Sequence, residues 1–276
     1  MTKNTFKFVS MLLAASFCVN FISCNDDDDE KKEDGTHNGF AYVDLGLPSG
    51  LKWAISNVGA ANPWDCGDYF AWGETVPKDI YDLSTYLNGN ITESKEFGTD
   101  KDLLLDVVDI SGSEYDAARA NMKGKWRIPN GAEFRELMNN CYWEWTDDYN
   151  GKGVAGCIVY KVKDATDKEK MKCADGYVYG RNDYGKIISK DEKYRSALAA
   201  SYSLADIHIF LPVTGFREGK DELEKQGGNY WSSSLSFNIL FLDCVYYLTF
   251  NDVAVGVYDD YGYRFVGHSV RAVYSE

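Results

Sequence analysis

The clearest order in this chain is the alternation of apolar and polar positions. Leu51-Lys52-Trp53-Ala54-Ile55 alternates over five residues, as a strand with one buried face does. Near the end of the chain Leu248 and Phe250 alternate with Thr249 and Asn251. Val253, Val255 and Val257 then alternate with Ala254 and Gly256, so two further strands are predicted there. Ala41 to Gly50 reads as a short strand and a turn, and Gly67 to Thr75 as a strand with an aromatic face. Trp143 to Trp145 and Cys157 to Val162 read as strands joined by a glycine-rich turn, and Ile207 to Pro212 as an apolar strand.

Helical spacing occurs twice in the middle of the chain. Asn130 followed by Glu133 is a capping-box-like pair. Phe134, Leu137, Met138 and Cys141 then fall at i, i+3, i+4 and i+7, a single apolar stripe that makes Cys141 a packed core thiol. Ser113, with Asp116 three residues on, predicts another helix with Tyr115, Ala118 and Met122 on one face and Gly124 at its end. Residues 78 to 112 look like an insertion with a short helix near Leu103 to Val108. Residues 163 to 205 read as a charged surface excursion, and Gly215 to Gly228 as a charged loop. Two short helices and several short antiparallel strands make an α+β domain.

The first residues follow a different rule. Lys3 and Lys7 precede an apolar run from Phe8 to Ile22, too short for a membrane span and arranged like a secretory leader. It ends at Ser23-Cys24, the pattern of a bacterial lipoprotein cleavage site, so residues 1–23 are read as a signal peptide and Cys24 as the lipidated residue. Acyl chains anchor by burying methylenes, at about 0.8 kcal/mol each. Asn25-Asp26-Asp27-Asp28-Asp29-Glu30 and the charged residues after it offer nothing to bury, so residues 24–38 are read as a disordered acidic tether. Residues 39–276 are left as one folded domain.

Charge and cysteine count narrow the partners. Removing Lys3 and Lys7 with the leader leaves 27 basic against 43 acidic residues, a net of −16. Such a chain is repelled by nucleic acid and by anionic lipid, so its membrane contact is expected through the N-terminal lipid alone. Cys66, Cys141, Cys157, Cys173 and Cys244 allow two disulfides in an exported protein without fixing their connectivity. There is no CxxC spacing, and a zinc site is not expected.

Several motifs share one order. Tyr42-Val43-Asp44-Leu45-Gly46-Leu47-Pro48-Ser49-Gly50-Leu51-Lys52-Trp53, Phe70-Ala71-Trp72-Gly73-Glu74, Trp126-Arg127-Ile128-Pro129, Phe210-Leu211-Pro212, Tyr230-Trp231-Ser232-Ser233 and Ser269-Val270-Arg271-Ala272-Val273 carry a resemblance. Together they resemble the Fibrobacter succinogenes major paralogous domain, abundant in surface lipoproteins of the Bacteroidetes and similar to C-type-lectin-like folds. The likeness covers most of residues 40 to 275. It departs at Ile55-Ser56, where the family carries a Cys. In such lipoproteins an acidic run after the lipidated Cys resembles an export signal to the outer face of the outer membrane. The resemblance therefore implies a lipid-anchored protein facing the cell exterior.

A fold does not fix a function. Calcium-dependent sugar binding in that fold uses a Glu-Pro-Asn or Gln-Pro-Asp loop with a Trp-Asn-Asp strand, and neither occurs here. Formylglycine-generating enzymes, similar in fold, need paired reactive cysteines near the end of the domain, where this chain has only Cys244. No catalytic constellation stands out, and a non-enzymatic role is expected. Asp259-Asp260 offers oxygen ligands of the type calcium takes; no other cofactor is expected.

The sharpest feature is compositional. From Ser232 to Ser275 there is no Lys, Glu, Gln, Met or Trp. Every residue type present can be encoded by a codon of the form NNC, the alphabet produced when a retroelement randomises adenines in AAC codons. Residues 235–268 therefore resemble the variable region of diversity-generating retroelement targets. On this reading Phe237, Asn238, Phe241, Tyr246, Tyr258, Asp259, Tyr261, Tyr263 and Phe265 form a ligand-binding surface for a surface protein or a glycan, much as antibody loops do. The other readings are a fixed glycan- or mucin-binding module, in which aromatic rings flanked by Asp and Asn stack on sugars, and a structural envelope protein.

Overall fold

The computed structural model describes residues 34–87, 109–170, 185–188, 198, 200–223, 226–236, 244–259 and 262–276. All of these lie in one compact unit, Lys32–Glu276. The first described elements are β1 (Asp34–His37), β2 (Phe40–Asp44), β3 (Lys52–Ala54) and β4 (Tyr69–Phe70). Helices α1 (Ala117–Met122) and α2 (Gly131–Asn140) follow, then β5 (Cys141–Thr146), β6 (Gly156–Lys161), α3 (Ala165–Lys170) and β7 (Gly185–Ile187). The rest is β8 (His208–Pro212), β9 (Phe216–Glu218), β10 (Asp221–Leu223), β11 (Gly228–Leu235), β12 (Val245–Phe250), β13 (Ala254–Tyr258), β14 (His268–Ser269) and β15 (Val273–Tyr274). The class is α+β, with short helices among largely antiparallel sheets.

A four-stranded sheet, β1-β2-β3-β15, joins the start of this unit to its end. The hairpin from β1 to β2 turns on Asn38 and Gly39, both at positive φ (49° and 84°), the backbone of a two-residue hairpin turn. Residues 34–38, within the 24–38 stretch expected to be a tether, thus form a strand and the start of a turn. The Asn-Gly pair lets residues 34–37 pair with Phe40–Val43 despite their polarity.

The six-stranded sheet, in the order β4-β14-β11-β12-β13-β7, is the largest. Its pairings are antiparallel except for β11 with β14, which run parallel at Tyr230 and Ser269. Helix α2 packs on one face, where Phe134, Leu137 and Met138 join Tyr230, Leu248, Phe250, Val255 and Val257 in the main core. The expected capping box closes its start. Asn130 accepts from the Glu133 amide at 2.9 Å, and Glu133 accepts from the Asn130 amide at 2.8 Å.

Helix α1 differs from its expected form. Its cap is Asp116, not Ser113, so Tyr115 lies before the helix. The fully buried Asp116 carboxylate accepts amides from Gly112, Arg119 and Ile128 at 2.7, 3.0 and 2.9 Å. Burial still raises its pKa. The strand expected over Gly67 to Thr75 shrinks to Tyr69–Phe70. The excursion from 163 to 205 contains α3, a third helix, and it sends Leu198 and Tyr202 into a cluster with Tyr142 and Tyr160. The loop from 215 to 228 contains the β9–β10 hairpin. Cys66, Cys141, Cys157 and Cys244 form no disulfide with one another. Cys173 and the helix expected near Leu103 to Val108 lie outside the described residues.

Several of the aromatic motifs meet in one interlocked cluster. Phe70, Trp72, Trp126, Ile128, Trp231, Val270 and Ala272 are buried together. Their polar edges are paired across the fold: Trp72 Nε1 donates to the Ser232 carbonyl at 2.9 Å, Trp231 Nε1 to Phe70 at 2.7 Å, and Trp126 Nε1 to His37 at 2.9 Å. Arg127 exchanges two 2.9 Å backbone bonds with Val273 and forms a two-pronged pair with Glu133.

Candidate ligand-binding site

Successive side chains on a strand point to opposite faces, so register decides which expected site residues can share a surface. On β12, Leu248 and Phe250 face α2, and Tyr246 shares that side. The Arg135 guanidinium lies 5.1 Å from the centre of the half-buried Tyr246 ring. Tyr258 pairs with Tyr247 and therefore lies on the other face. Its ring folds back over Gly256, where a Cβ would come within 2.3 Å of it. The single patch expected from Tyr246, Tyr258 and their neighbours is thus divided by the sheet itself. This corrects the sequence reading, which had no register to work from.

Beyond Tyr258 the chain returns to the start of β12. Val245 N–H donates to the Gly262 carbonyl at 2.9 Å, and Cys244 bridges Tyr263. Tyr263 stacks on Phe265 with centroids 5.7 Å apart and planes 11° from parallel. Tyr263 is 36% exposed, while Phe265 backs onto Tyr69, Ala71, Tyr81 and Tyr86. Asp259 accepts from the Ser236 hydroxyl at 2.8 Å, which ties this loop to the end of β11. Tyr263 and Phe265 are therefore together, Tyr258 and Asp259 lie on the strand-end loop before them, and Tyr246 is apart. Cys24, Phe237, Asn238, Phe241, Asp260 and Tyr261 lie outside the described residues.

The opposite end of β12 holds a feature the sequence reading missed. An open cleft of about 400 Å³ is lined by Phe216, Gln226, Gly227, Asn229, Thr249, Phe250 and Asn251. Asn229 and Thr249 are direct cross-strand partners and so share a face. The floor depends on two glycines: a Cβ on Gly227 would come within 2.2 Å of the Phe250 carbonyl, and one on Gly228 within 2.1 Å of the Phe250 ring. Gly227-Gly228 was the available signal, since paired glycines in a strand mark a close backbone approach. Arg217, Glu218, Lys220, Asp221 and Glu222 of the expected loop belong to the β9–β10 hairpin, which turns at Gly219 and brings Phe216 to its base.

Behind the cleft lies a buried aromatic stack. His268 lies 3.9 Å from Trp231, nearly parallel at 15°, with Tyr247 at 5.3 Å and Phe216 at 6.0 Å. Burial lowers the His268 pKa to about 3, so the ring is neutral at pH 7. Further in, fully buried Arg271 donates to Asn57 Oδ1, the Ala54 carbonyl and the Phe210 carbonyl at 2.8, 2.9 and 2.8 Å. It binds three chain segments through neutral acceptors, and burial lowers its pKa to about 10, which still leaves it charged at pH 7.

The polar contacts elsewhere are structural in kind. Tyr149 bonds His208 Nε2 at 2.9 Å and His208 Nδ1 contacts the Asp206 carbonyl at 2.7 Å, but burial raises the Tyr149 pKa and holds its proton in place. Among the described residues no cluster of three His, Cys, Asp or Glu side chains is arranged to hold a metal ion. No described helix is long and apolar enough to cross a membrane. Comparison with protein-family models, with curated proteins and with solved structures gave no match.

Proposed function

We propose that this chain is an exported, lipid-anchored binding protein of the outer membrane, held at Cys24, whose C-type-lectin-like domain displays a ligand-binding surface on its C-terminal strands. The observation that carries this reading is how the restricted-alphabet segment divides within the fold. Val245, Leu248, Phe250, Val255 and Val257 are buried, while Tyr258, Asp259, Tyr263 and Phe265 remain partly or fully open at the strand ends. A stable frame that leaves such positions open suits ligand display. The C-type-lectin-like reading is supported by terminal strands that close into one sheet and by the interlocked tryptophan motifs. Retroelement diversification of residues 235–268 belongs to the same proposal, and no enzymatic role is part of it.

The test is the gene and its neighbourhood. A near-copy of codons 229 to 273, carrying AAC where this gene carries other NNC codons and lying beside a reverse transcriptase, is the expected finding. Among close relatives, adenine-derived differences should fall at codons 258, 259 and 263 and spare codons 245, 248, 255 and 257. Differences spread equally over both sets would overturn diversification. Labelling with radioactive palmitate tests the anchor: Cys24→Ser should abolish the label, and retained label would remove the lipoprotein reading.

A further inference from the structure

We infer that the cleft at the Phe250 end of the six-stranded sheet is a binding site for a neutral saccharide. It is distinct from the Tyr263–Phe265 surface: β12 runs from Val245 beside Gly262 to Phe250 at the cleft, a span of roughly 17 Å at about 3.3 Å per residue. Thr249, Phe250 and Asn251 fall within residues 235–268, so the inference concerns the residues this chain carries there.

The argument is the chemistry of the lining. Three amide side chains, one hydroxyl and the half-buried Phe216 ring face a space of about 400 Å³, and none of the described lining residues carries a charge. That volume falls within the ~300–1,000 Å³ of small-ligand pockets. Asn229, Thr249 and Asn251 hold unused capacity. Asn229 Nδ2 donates to the Gly215 carbonyl at 3.2 Å, but its Oδ1 has no partner among the described residues. Asn251 Oδ1 accepts the Val253 and Ala254 amides at 2.9 Å each, which fixes the turn and leaves Nδ2 as a donor without a protein partner there. The Thr249 hydroxyl, half-buried between these two positions in the sheet, likewise has none among the described residues.

An acceptor, a donor and a group that does both are thus held on a rigid strand pair beside an aromatic ring. A purely apolar ligand would cover these groups without satisfying them, at a cost in affinity. An anionic ligand would find no cation among the described lining residues and a chain of net charge −14 around it. An extended peptide adding to a sheet edge would find none here, because the Gly227 carbonyl accepts from Gly215 and Asn251 N–H donates to Ala254. A sugar ring presents a C–H face for Phe216 and hydroxyls that donate and accept in alternation, which is the complement of this set. The described lining residues include no carboxylate, so binding is expected to be independent of divalent cations.

The full chain would be applied to an array of neutral, sialylated and sulfated glycans, with EDTA present. The neutral glycan giving the strongest signal would then be titrated by calorimetry against wild type, Phe216→Ala, Thr249→Val, Asn251→Asp and Tyr263→Ala. Thr249→Val keeps a β-branched strand residue and Asn251→Asp keeps the turn-capping oxygen, so both hold the fold if Phe216→Ala does not. Retention of a neutral glycan is expected, with affinity down roughly three- to tenfold in Thr249→Val and about tenfold or more in Phe216→Ala, and unchanged in Tyr263→Ala. A signal confined to charged glycans, no glycan signal at all, or binding lost in Tyr263→Ala but kept in Thr249→Val would each overturn the assignment. The last outcome would favour the display surface instead, so the two readings fail separately.

Discussion

Two neighbouring stretches of this chain share one restricted residue alphabet and opposite fates. From Val266 to Tyr274 every residue is buried, and the stretch spans two sheets by pairing β14 with β4 and β11 and β15 with β3. From Val245 to Asp259 burial alternates with exposure, and the turn at Asn251 to Val253 is fully open. Composition cannot separate them, since both lack Lys, Glu, Gln, Met and Trp. What separates them is polar anchoring. Arg271 and Ser269 are hydrogen-bonded within the interior, whereas Thr249 and the free amide of Asn251 have no protein partner among the described residues. One stretch holds the frame, and the other is carried by it.

The largest effect should come from breaking the first stretch. Arg271→Met keeps much of the volume but removes the donors to Asn57, Ala54 and Phe210. Leaving buried neutral acceptors without their donor costs about 1–3 kcal/mol each, so a loss of several kcal/mol is expected. For a domain of this size, urea unfolding should show that loss together with a Tm lower by about ten degrees. A loss below about 1 kcal/mol would mean that these acceptors are satisfied without Arg271, and the division into frame and surface would lose its main support.

His268 gives the next effect, and it depends on pH. Its folded pKa of about 3 lies below the ordinary imidazole value of 6.5, so between these two values the unfolded chain binds a proton that the folded chain does not. The stability contributed by the neutral ring is complete above pH 6.5 and is lost as pH falls towards 3. From pH 7 to 5 that amounts to about 2 kcal/mol, at about 1.4 kcal/mol per pH unit. Asp116 has the opposite sign. Its raised pKa adds stability that is present at low pH and lost as pH rises through the folded value, so it offsets part of the decline on acidification. Subtracting the curve for His268→Phe from that of wild type cancels Asp116. The difference should slope downward from pH 6.5; a flat difference would mean that the ring is solvated in the folded state.

The same contrast explains what was legible from sequence. The α2 capping box and the period-two strands β12 and β13 could be read because each depends on residues within a few positions of one another. The cap of α1 was misplaced because Ser113 and Asp116 both suit the role. Only the fold shows that Asp116 gathers three amides while the Ser113 hydroxyl donates to Ile110 at 2.7 Å. The Asn38-Gly39 hairpin was legible in principle, but the acidic run before it pointed to a tether. The division of Tyr246 from Tyr258 needs the β12–β13 register, which pairs Tyr247 with Tyr258. The cleft was hidden most completely, because Phe216, Asn229 and Thr249 come from three segments that meet only through strand pairing and two glycines.

The smallest effect is also the most discriminating. Tyr263→Asn and Val270→Asn place the same side chain seven positions apart within the shared alphabet. Val270 is fully buried among Trp72, Trp126 and Trp231, so an amide there loses packing and leaves polar groups short of partners, at several kcal/mol. Tyr263 gives up a stacked contact with Phe265 at the surface, and its replacement should change stability by about 0.5 kcal/mol or less. Chemical denaturation of the two variants measures the gap directly. Equal losses would mean that Tyr263 belongs to the frame, and the display surface would have to be sought elsewhere. A wide gap would mean that the strand ends can change side chains while the fold persists, which is the physical requirement for a surface whose residues are free to vary.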